Sequence, residues 1–362
     1  MADGEGQVTT HYGEVDRSIT ATALRRDFGS LRAVDDVDLR VEGGAVFGFL
    51  GPNGAGKSTV VKMLTTILQP TAGQALVAGY DVRHRGHEVR SAIGVALQEV
   101  GLDTLMTARE LLVLQARLFG ASRAEAHRIA ERLLVTVDLA DVEAKKRVGE
   151  YSGGMKRRLD LALALVHDPL VLFLDEPTTG LDPVSRVAIW EEVRRLNRER
   201  GITVFLTTQY LEEADRLADR LAIIDRGRIV AEGTPRELKR RVGDEVVELQ
   251  FGDARDAGRA DDLLADLAPQ RQVSGDEVRV YAAVAAELVP ALVRRVDDAG
   301  LALRGLTVAQ PTLDDVFLRL TGRHAEAAGD RTDSDGDGIE GDGIDGDGVE
   351  GDPARTGGGV QP

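Results

Sequence analysis

The sequence has no cysteine, no membrane-length apolar run and no excess of basic charge. Without cysteine there can be no disulfide, thiolate metal site or cysteine nucleophile, which suits a cytoplasmic protein. A membrane-crossing helix needs about 18 consecutive apolar residues. The most apolar stretch, 161–174, is cut by His167, Asp168 and Pro169. The first 16 residues are polar and acidic and show no signal-sequence pattern. Any membrane role is therefore expected to fall to a separate partner. Formal net charge is -16, with 11 Asp and Glu against 2 Arg in residues 325–362. That balance is the opposite of a nucleic-acid footprint, so no nucleic-acid partner is expected.

What the chain does have is a regular alternation. Residues 45–50, 171–174 and 203–207 are short and almost wholly apolar, as strands buried on both faces are. Long helical patterns separate them, which predicts an α/β domain with a mainly parallel core sheet. Residues 1–17 read as a flexible leader and 18–240 as this main domain. A helical insert is expected at about 99–165. Residues 241–322 change texture and predict a small α+β domain with a four-stranded sheet, including strands at 245–251, 277–284 and 301–310. The expected helices there are 261–268, 285–300 and 311–322. Residues 323–362 are acidic, rich in Gly and Asp, and read as disordered. Asp333, Asp335 and Asp337 start like a calcium loop, but position twelve would be Ile344, so a solvated tail is the better reading. His84 and His87 read as solvated side chains.

The main chemical signal is Gly51, Pro52, Asn53, Gly54, Ala55, Gly56, Lys57, Ser58 and Thr59, which fits G-x-x-x-x-G-K-[ST]. Glycines let backbone N–H groups turn inward around phosphate, and a following helix aims its positive end at the same anion. Lys57 is expected to neutralise the β- and γ-phosphates and Ser58 to ligate Mg²⁺. Kinases, GTPases and helicases share this loop, so other residues must narrow the class. The strand at 171–174 runs into Asp175 and Glu176, a Mg²⁺-holding carboxylate followed by a candidate general base.

Tyr151-Ser152-Gly153-Gly154-Met155 then opens a helical run some 20 residues before Asp175. Ser152 is a natural N-cap and the two glycines permit close approach to an anion. This segment resembles the signature motif of ABC ATPases, LSGGQ, with Tyr151 and Met155 departing at its flanks. By that resemblance, Ser152, Gly153 and Gly154 would contact the γ-phosphate held by a second copy of the chain. Gln98 resembles the Q-loop glutamine, a metal ligand and γ-phosphate sensor. Asp182 resembles the D-loop aspartate, and Phe28 the aromatic residue that stacks on adenine.

Gln209 stands where most ABC ATPases have histidine. That glutamine and the C-terminal stretch 311–322 resemble the daunorubicin/doxorubicin-resistance ATP-binding subunits. The resemblance implies a P-loop ABC ATPase fold, bound ATP and Mg²⁺, and a nucleotide-sandwich dimer. It further implies a separate multi-span permease, a place at the cytoplasmic membrane face, and export of a hydrophobic compound such as a drug or antibiotic. Glutamine can donate a hydrogen bond but cannot carry a proton near pH 7, so Glu176 is expected to handle the proton alone. The competing readings are a soluble ABC ATPase acting on nucleic acid or ribosomes, an importer motor, and an exporter of lipid or polysaccharide. A non-catalytic regulator is disfavoured by Lys57, Asp175 and Glu176.

Overall fold

The computed structural model describes residues 16–98, 101–142, 145–243 and 245–321. The expectations for residues 1–15 and 322–362 lie outside the described residues. Two leader positions are described, and one of them is bound into the body: Arg17 Nη1 donates to Gly201 O at 2.7 Å, and Thr203 Oγ1 donates to Arg17 O at 2.6 Å.

The chain opens with β1 (Ile19–Phe28), β2 (Leu31–Val41) and β3 (Val46–Leu50), then α1 (Lys57–Leu64). Next come β4 (Ala72–Val77), β5 (Tyr80–Asp81), α2 (Gly86–Ala92) and β6 (Ile93–Ala96). Three helices follow: α3 (Ala108–Leu118), α4 (Arg123–Thr136) and α5 (Gly153–Ala164). The chain then returns through β7 (Val171–Asp175), α6 (Pro183–Arg200), β8 (Thr203–Thr208) and α7 (Leu211–Leu217). An edge pair, β9 (Arg220–Asp225) and β10 (Arg228–Gly233), leads into α8 (Pro235–Arg240).

The central sheet has the order β10-β9-β3-β8-β7-β6. All its neighbours run parallel except β9 and β10. Every residue of β3, β7 and β8 is buried, which is why these strands read as continuous apolar runs rather than alternating ones. Phe205 sits at the heart of the sheet, with the rings of Phe47, Phe49 and Phe173 at 5.7, 5.5 and 5.5 Å. Burying one such ring contributes roughly 2–3 kcal/mol. A second sheet, β2-β1-β4-β5, is antiparallel and packs with α1 over the same apolar layer. The helices α3, α4 and α5 form a bundle sharing a core with α6 and the strands β7 and β8.

The C-terminal region contains β11 (Glu245–Gln250), α9 (Ala254–Leu263), β12 (Arg271–Ser274), β13 (Glu277–Ala282), α10 (Ala285–Asp298), β14 (Gly305–Ala309) and α11 (Leu313–Thr321). Its sheet is four-stranded and antiparallel, in the order β12-β13-β11-β14. The strand β12 is short and carries no alternation, so it escapes a pattern search. The helix expected at 261–268 begins earlier, because the Asp253 side chain caps it by accepting from the backbone N–H groups of Arg255 and Asp256.

This region is welded to the rest of the protein. Leu211 and Ala214 of α7 share one buried cluster with Val246, Tyr281, Val316 and Phe317.

Asp314 and Asp315 read in the sequence as parts of a docking helix with one buried face and no chemistry. Asp315 lies on that buried face and accepts hydrogen bonds from Tyr281 Oη at 2.6 Å, Arg279 Nη1 at 2.8 Å and both Thr312 N and Oγ1. His84 is exposed, as a solvated side chain should be, but it does have a carboxylate neighbour, with Nδ1 3.0 Å from Asp81 Oδ1.

Candidate active site

The parallel register decides where the sequence motifs meet. Leu50 pairs with Thr208, Asp175 with Thr207 and Ala96 with Leu174. The ends of β3, β6, β7 and β8 therefore lie side by side, and the segments holding Gly51, Gln98, Glu176 and Gln209 leave the sheet along one edge. Ligands of open α/β sheets bind at such a carboxyl edge.

The loop 51–56 links β3 to α1. Gly56 has φ +108°, and a Cβ there would lie 2.6 Å from Ala33 O. Both facts demand glycine immediately before the helix. Lys57 is buried; its Nζ donates to Gly51 O at 2.7 Å and Pro52 O at 3.2 Å. The same ammonium is 3.3 Å from Glu176 Oε1. Ser58 Oγ donates to Asp175 Oδ1 at 3.3 Å, and Thr207 Oγ1 donates to the same oxygen at 2.5 Å. Thr207 Oγ1 also accepts from Glu176 N at 3.0 Å. One hydroxyl thus spans the two successive carboxylate residues. Glu176 has φ 49°, an uncommon left-handed conformation for a non-glycine residue that stores strain. A hydroxyl beside a carboxylate is a set of hard oxygen donors and fits Mg²⁺.

Gln98 is exposed just beyond β6. Gln209 follows β8 directly, and its buried Oε1 has no hydrogen-bond partner among the described residues. Phe28 ends β1 on the other sheet, 44% exposed, with the Arg26 guanidinium 4.6 Å from its ring centroid.

Ser152, Gly153, Gly154 and Asp182 form a second cluster. Ser152 caps α5 by accepting from Met155 N at 3.3 Å. Asp182 caps α6, accepting from Ser185 N at 3.0 Å and Ser185 Oγ at 2.6 Å. Those two bonds hold its carboxyl below the usual aspartate range. A Cβ on Gly154 would come within 2.8 Å of Ser185 Oγ, so this glycine lets the first turn of α5 approach that of α6. Ser152, Gly153 and Asp182 are all exposed.

Two buried groups near these motifs carried no sequence signal. Glu213 of α7 is fully buried; its Oε1 accepts from Thr178 Oγ1 at 3.0 Å and Trp190 Nε1 at 2.8 Å. Burial pushes its pKa up, opposed by hydrogen bonds from Thr208, Trp190 and Thr178. Arg157 of α5 is the other. Both sit in charged stretches that read as solvated helix faces.

Arg157 is paired with Asp160, 3.1 Å away. Burial raises the Asp160 pKa to about 6, against the attraction of Arg157. The folded carboxyl therefore holds its proton to higher pH than an unfolded aspartate does. Its contribution to stability is full below about pH 3.8 and is lost as pH rises through about 6, a loss on the order of 2–3 kcal/mol. Asp160→Asn should remove that slope. Urea unfolding from pH 4 to 7 measures it, and the stability difference should move steadily toward the Asn variant as pH rises.

Residues 34–179 match the ABC transporter family model, and residues 233–321 match that of the DrrA1-3-like ATP-binding protein C-terminal domain. The chain is 46% identical to the daunorubicin resistance ATP-binding protein DrrA3 of Streptomyces coeruleorubidus, over 85% of this chain and 96% of that protein. The chain belongs to the DrrA-type ATP-binding proteins of ABC transporters. It is an ATP-hydrolysing enzyme of that family.

Other relatives include the doxorubicin resistance ATP-binding protein DrrA of Mycobacterium tuberculosis, 43% identical over 84% of this chain and 94% of its own. Nod factor export ATP-binding protein I of Rhizobium sp. is 42% identical over 85% of this chain and 98% of its own. Among solved structures, the dimeric post-hydrolysis form of the ATP-binding cassette MJ0796, bound to ADP and Pi, superposes with a TM-score of 0.55. It is 25% identical, over 60% of this chain and 98% of that one. The cassette cbiO1 of Clostridium perfringens, part of a cbiONQ transporter complex, gives 0.57 at 26% identity, over 62% and 91%. No helix of the described residues is long and apolar enough to cross a membrane.

Proposed function

We propose that two copies of this DrrA-type ATPase clamp Mg-ATP between them and drive export through a separate membrane-spanning permease at the cytoplasmic membrane face. The observation that carries this reading is the pair of clusters just described. Lys57, Ser58, Asp175 and Glu176 converge at the sheet edge, while Ser152, Gly153 and Asp182 face solvent at the starts of α5 and α6. The first set holds a triphosphate, and the second offers backbone N–H groups at a helix start to the triphosphate of the other copy.

In this reading residues 18–240 are the ATPase unit, with 99–165 as its helical insert, and 241–322 are an accessory domain. The loop 51–56, with Thr59 beyond it, cradles the phosphates, Lys57 swings from Glu176 to the β- and γ-phosphates, and Phe28 stacks on adenine. Ser58, Asp175 and Gln98 would hold Mg²⁺, whose positive charge offsets that of the phosphate oxygens. Glu176 takes a proton from water; the water oxygen bonds to the γ-phosphorus as the bond to the ADP oxygen breaks. Gln209 orients phosphate and water by hydrogen bonding. Losing the γ-phosphate removes contacts from both sides, so the pair opens.

Drug-resistance relatives support a hydrophobic cargo such as an antibiotic. The Nod factor relative favours a second reading, in which the cargo is a lipid or polysaccharide. For the permease contact, Leu105 and Leu118 are 71% and 74% exposed in the segment between Gln98 and α4. Tagged full-length protein drawn from native membranes should bring a multi-span protein with it. Leu105→Glu with Leu118→Glu should cut that recovery about tenfold or more. Recovery of the ATPase alone, under conditions that preserve membrane complexes, would sink the exporter reading.

A further inference from the structure

Hydrolysis in the proposed sandwich needs three separate segments in register: Glu176 after β7, Gln98 after β6 and the start of α5. One buried guanidinium, carried by α5 itself, touches the backbone beside the other two. Arg157, 6% exposed in α5, donates through Nε to Pro177 O at 2.8 Å and through Nη2 to Asp175 O at 2.9 Å. Its Nη1 donates to Leu97 O at 2.6 Å and to Asp160 Oδ2 at 3.1 Å. Asp175 and Pro177 flank Glu176, and Leu97 precedes Gln98.

We infer that Arg157 is a positioning residue for hydrolysis, fixing the backbone on both sides of Glu176 and tying it, within one chain, to the helix that Ser152 caps. The inference rests on the sandwich reading above and adds to it a route between the two sites of the pair. Glu176 sits at φ 49°, a conformation that persists only where surrounding contacts impose it. Thr207 holds its N–H; Arg157 holds the carbonyls on either side. The task suits arginine, whose rigid fork presents five N–H donors in one plane. A lysine ammonium cannot span three carbonyls that belong to two strand ends. The geometry also gives the contact a direction. When α5 meets the phosphate of the opposite copy, the movement reaches the general base of its own copy through a single side chain.

The test uses full-length copies carrying two different tags, purified as mixed pairs in Mg-ATP. One copy keeps Glu176 and the other carries Glu176→Gln, so the competent site combines Glu176 of the first copy with Ser152 of the second. Arg157→Lys is placed in one copy or the other, and phosphate release is measured against ATP concentration. A small misplacement of a catalytic group costs on the order of 10- to 100-fold in rate. The expected result is a kcat loss of at least about tenfold when the variant shares the copy with the intact Glu176, with KM shifted less than about threefold. That loss should exceed the loss from the opposite placement by about fivefold or more. Equal losses, a loss only in the Glu176→Gln copy, or full activity in both placements would overturn the inference.

Arg157→Met with Asp160→Leu provides a second variant that leaves no lone buried charge, and it should reproduce the same asymmetry. If mixed copies never pair in ATP, the sandwich reading fails by itself. The uniform Arg157→Lys protein then decides: reduced kcat at unchanged KM supports the positioning role, and unchanged kcat overturns it.

Discussion

Glu176→Gln is expected to lower ATP turnover by about 10²- to 10⁴-fold, the range general-base catalysis supplies, while ATP still binds. Glutamine keeps the shape of the side chain but cannot accept a proton from water. Lys57 loses its ion pair with Glu176 Oε1 at 3.3 Å but keeps its bonds to Gly51 O and Pro52 O, and Ser58 remains beside Asp175. The triphosphate should then persist between the two copies, and the closed pair should accumulate. Phosphate release reads the first effect; light scattering of the full-length chain in Mg-ATP, with its membrane partner present, reads the second. Gln209→Ala should slow turnover less, since Gln209 orients and carries no proton. Normal turnover in Glu176→Gln together with complete loss in Gln209→Ala would refute that division of labour. A Glu176→Gln protein that stays monomeric would refute the sandwich.

Asp315→Ala is expected to cost about 1–3 kcal/mol, the penalty for removing the shared acceptor of a buried hydrogen-bond network. Four hydrogen bonds end on this carboxylate and truncation removes their shared acceptor, although Tyr281 Oη keeps Gln272 Oε1 at 2.8 Å and Arg279 keeps Glu248 and Glu277. Burial alone would raise the Asp315 pKa, but bonds from Tyr281, Thr312 and Arg279 outweigh it and hold the carboxyl below the usual aspartate range. A lowered pKa stabilises above the unfolded value, so this contribution is full above about pH 4 and is lost progressively as pH falls from there through the lowered folded value. Calorimetry of wild type and variant at pH 7 and pH 3 tests both statements. The gap between the two proteins should be smaller at pH 3 than at pH 7. A variant with unchanged stability at pH 7 would show that the network is incidental. The location matters, because α11 packs against α7, which starts two residues after Gln209.

The amino-acid sequence by itself determined the features that depend on neighbours along the chain. Continuous apolar runs mark β3, β7 and β8 because parallel central strands are buried on both faces. The phosphate loop is legible because its chemistry needs glycine, lysine and a hydroxyl at fixed spacing. Asp175 and Glu176 are legible because they end such a strand. The caps Ser152 and Asp182 announce α5 and α6 in the same way.

Only the tertiary structure decided contacts between residues far apart in the chain. Nothing local to Arg157 says that it reaches Leu97, Asp175 and Pro177, and in sequence it is one more charge on a helix. Glu213 and Asp315 carry the same ambiguity, since a buried carboxylate and a solvated one are spelled alike. Their burial is set by which faces the sheets and helices turn toward each other. Folding takes a charge out of water at these positions because donors from distant segments meet it there, and that meeting exists only in three dimensions.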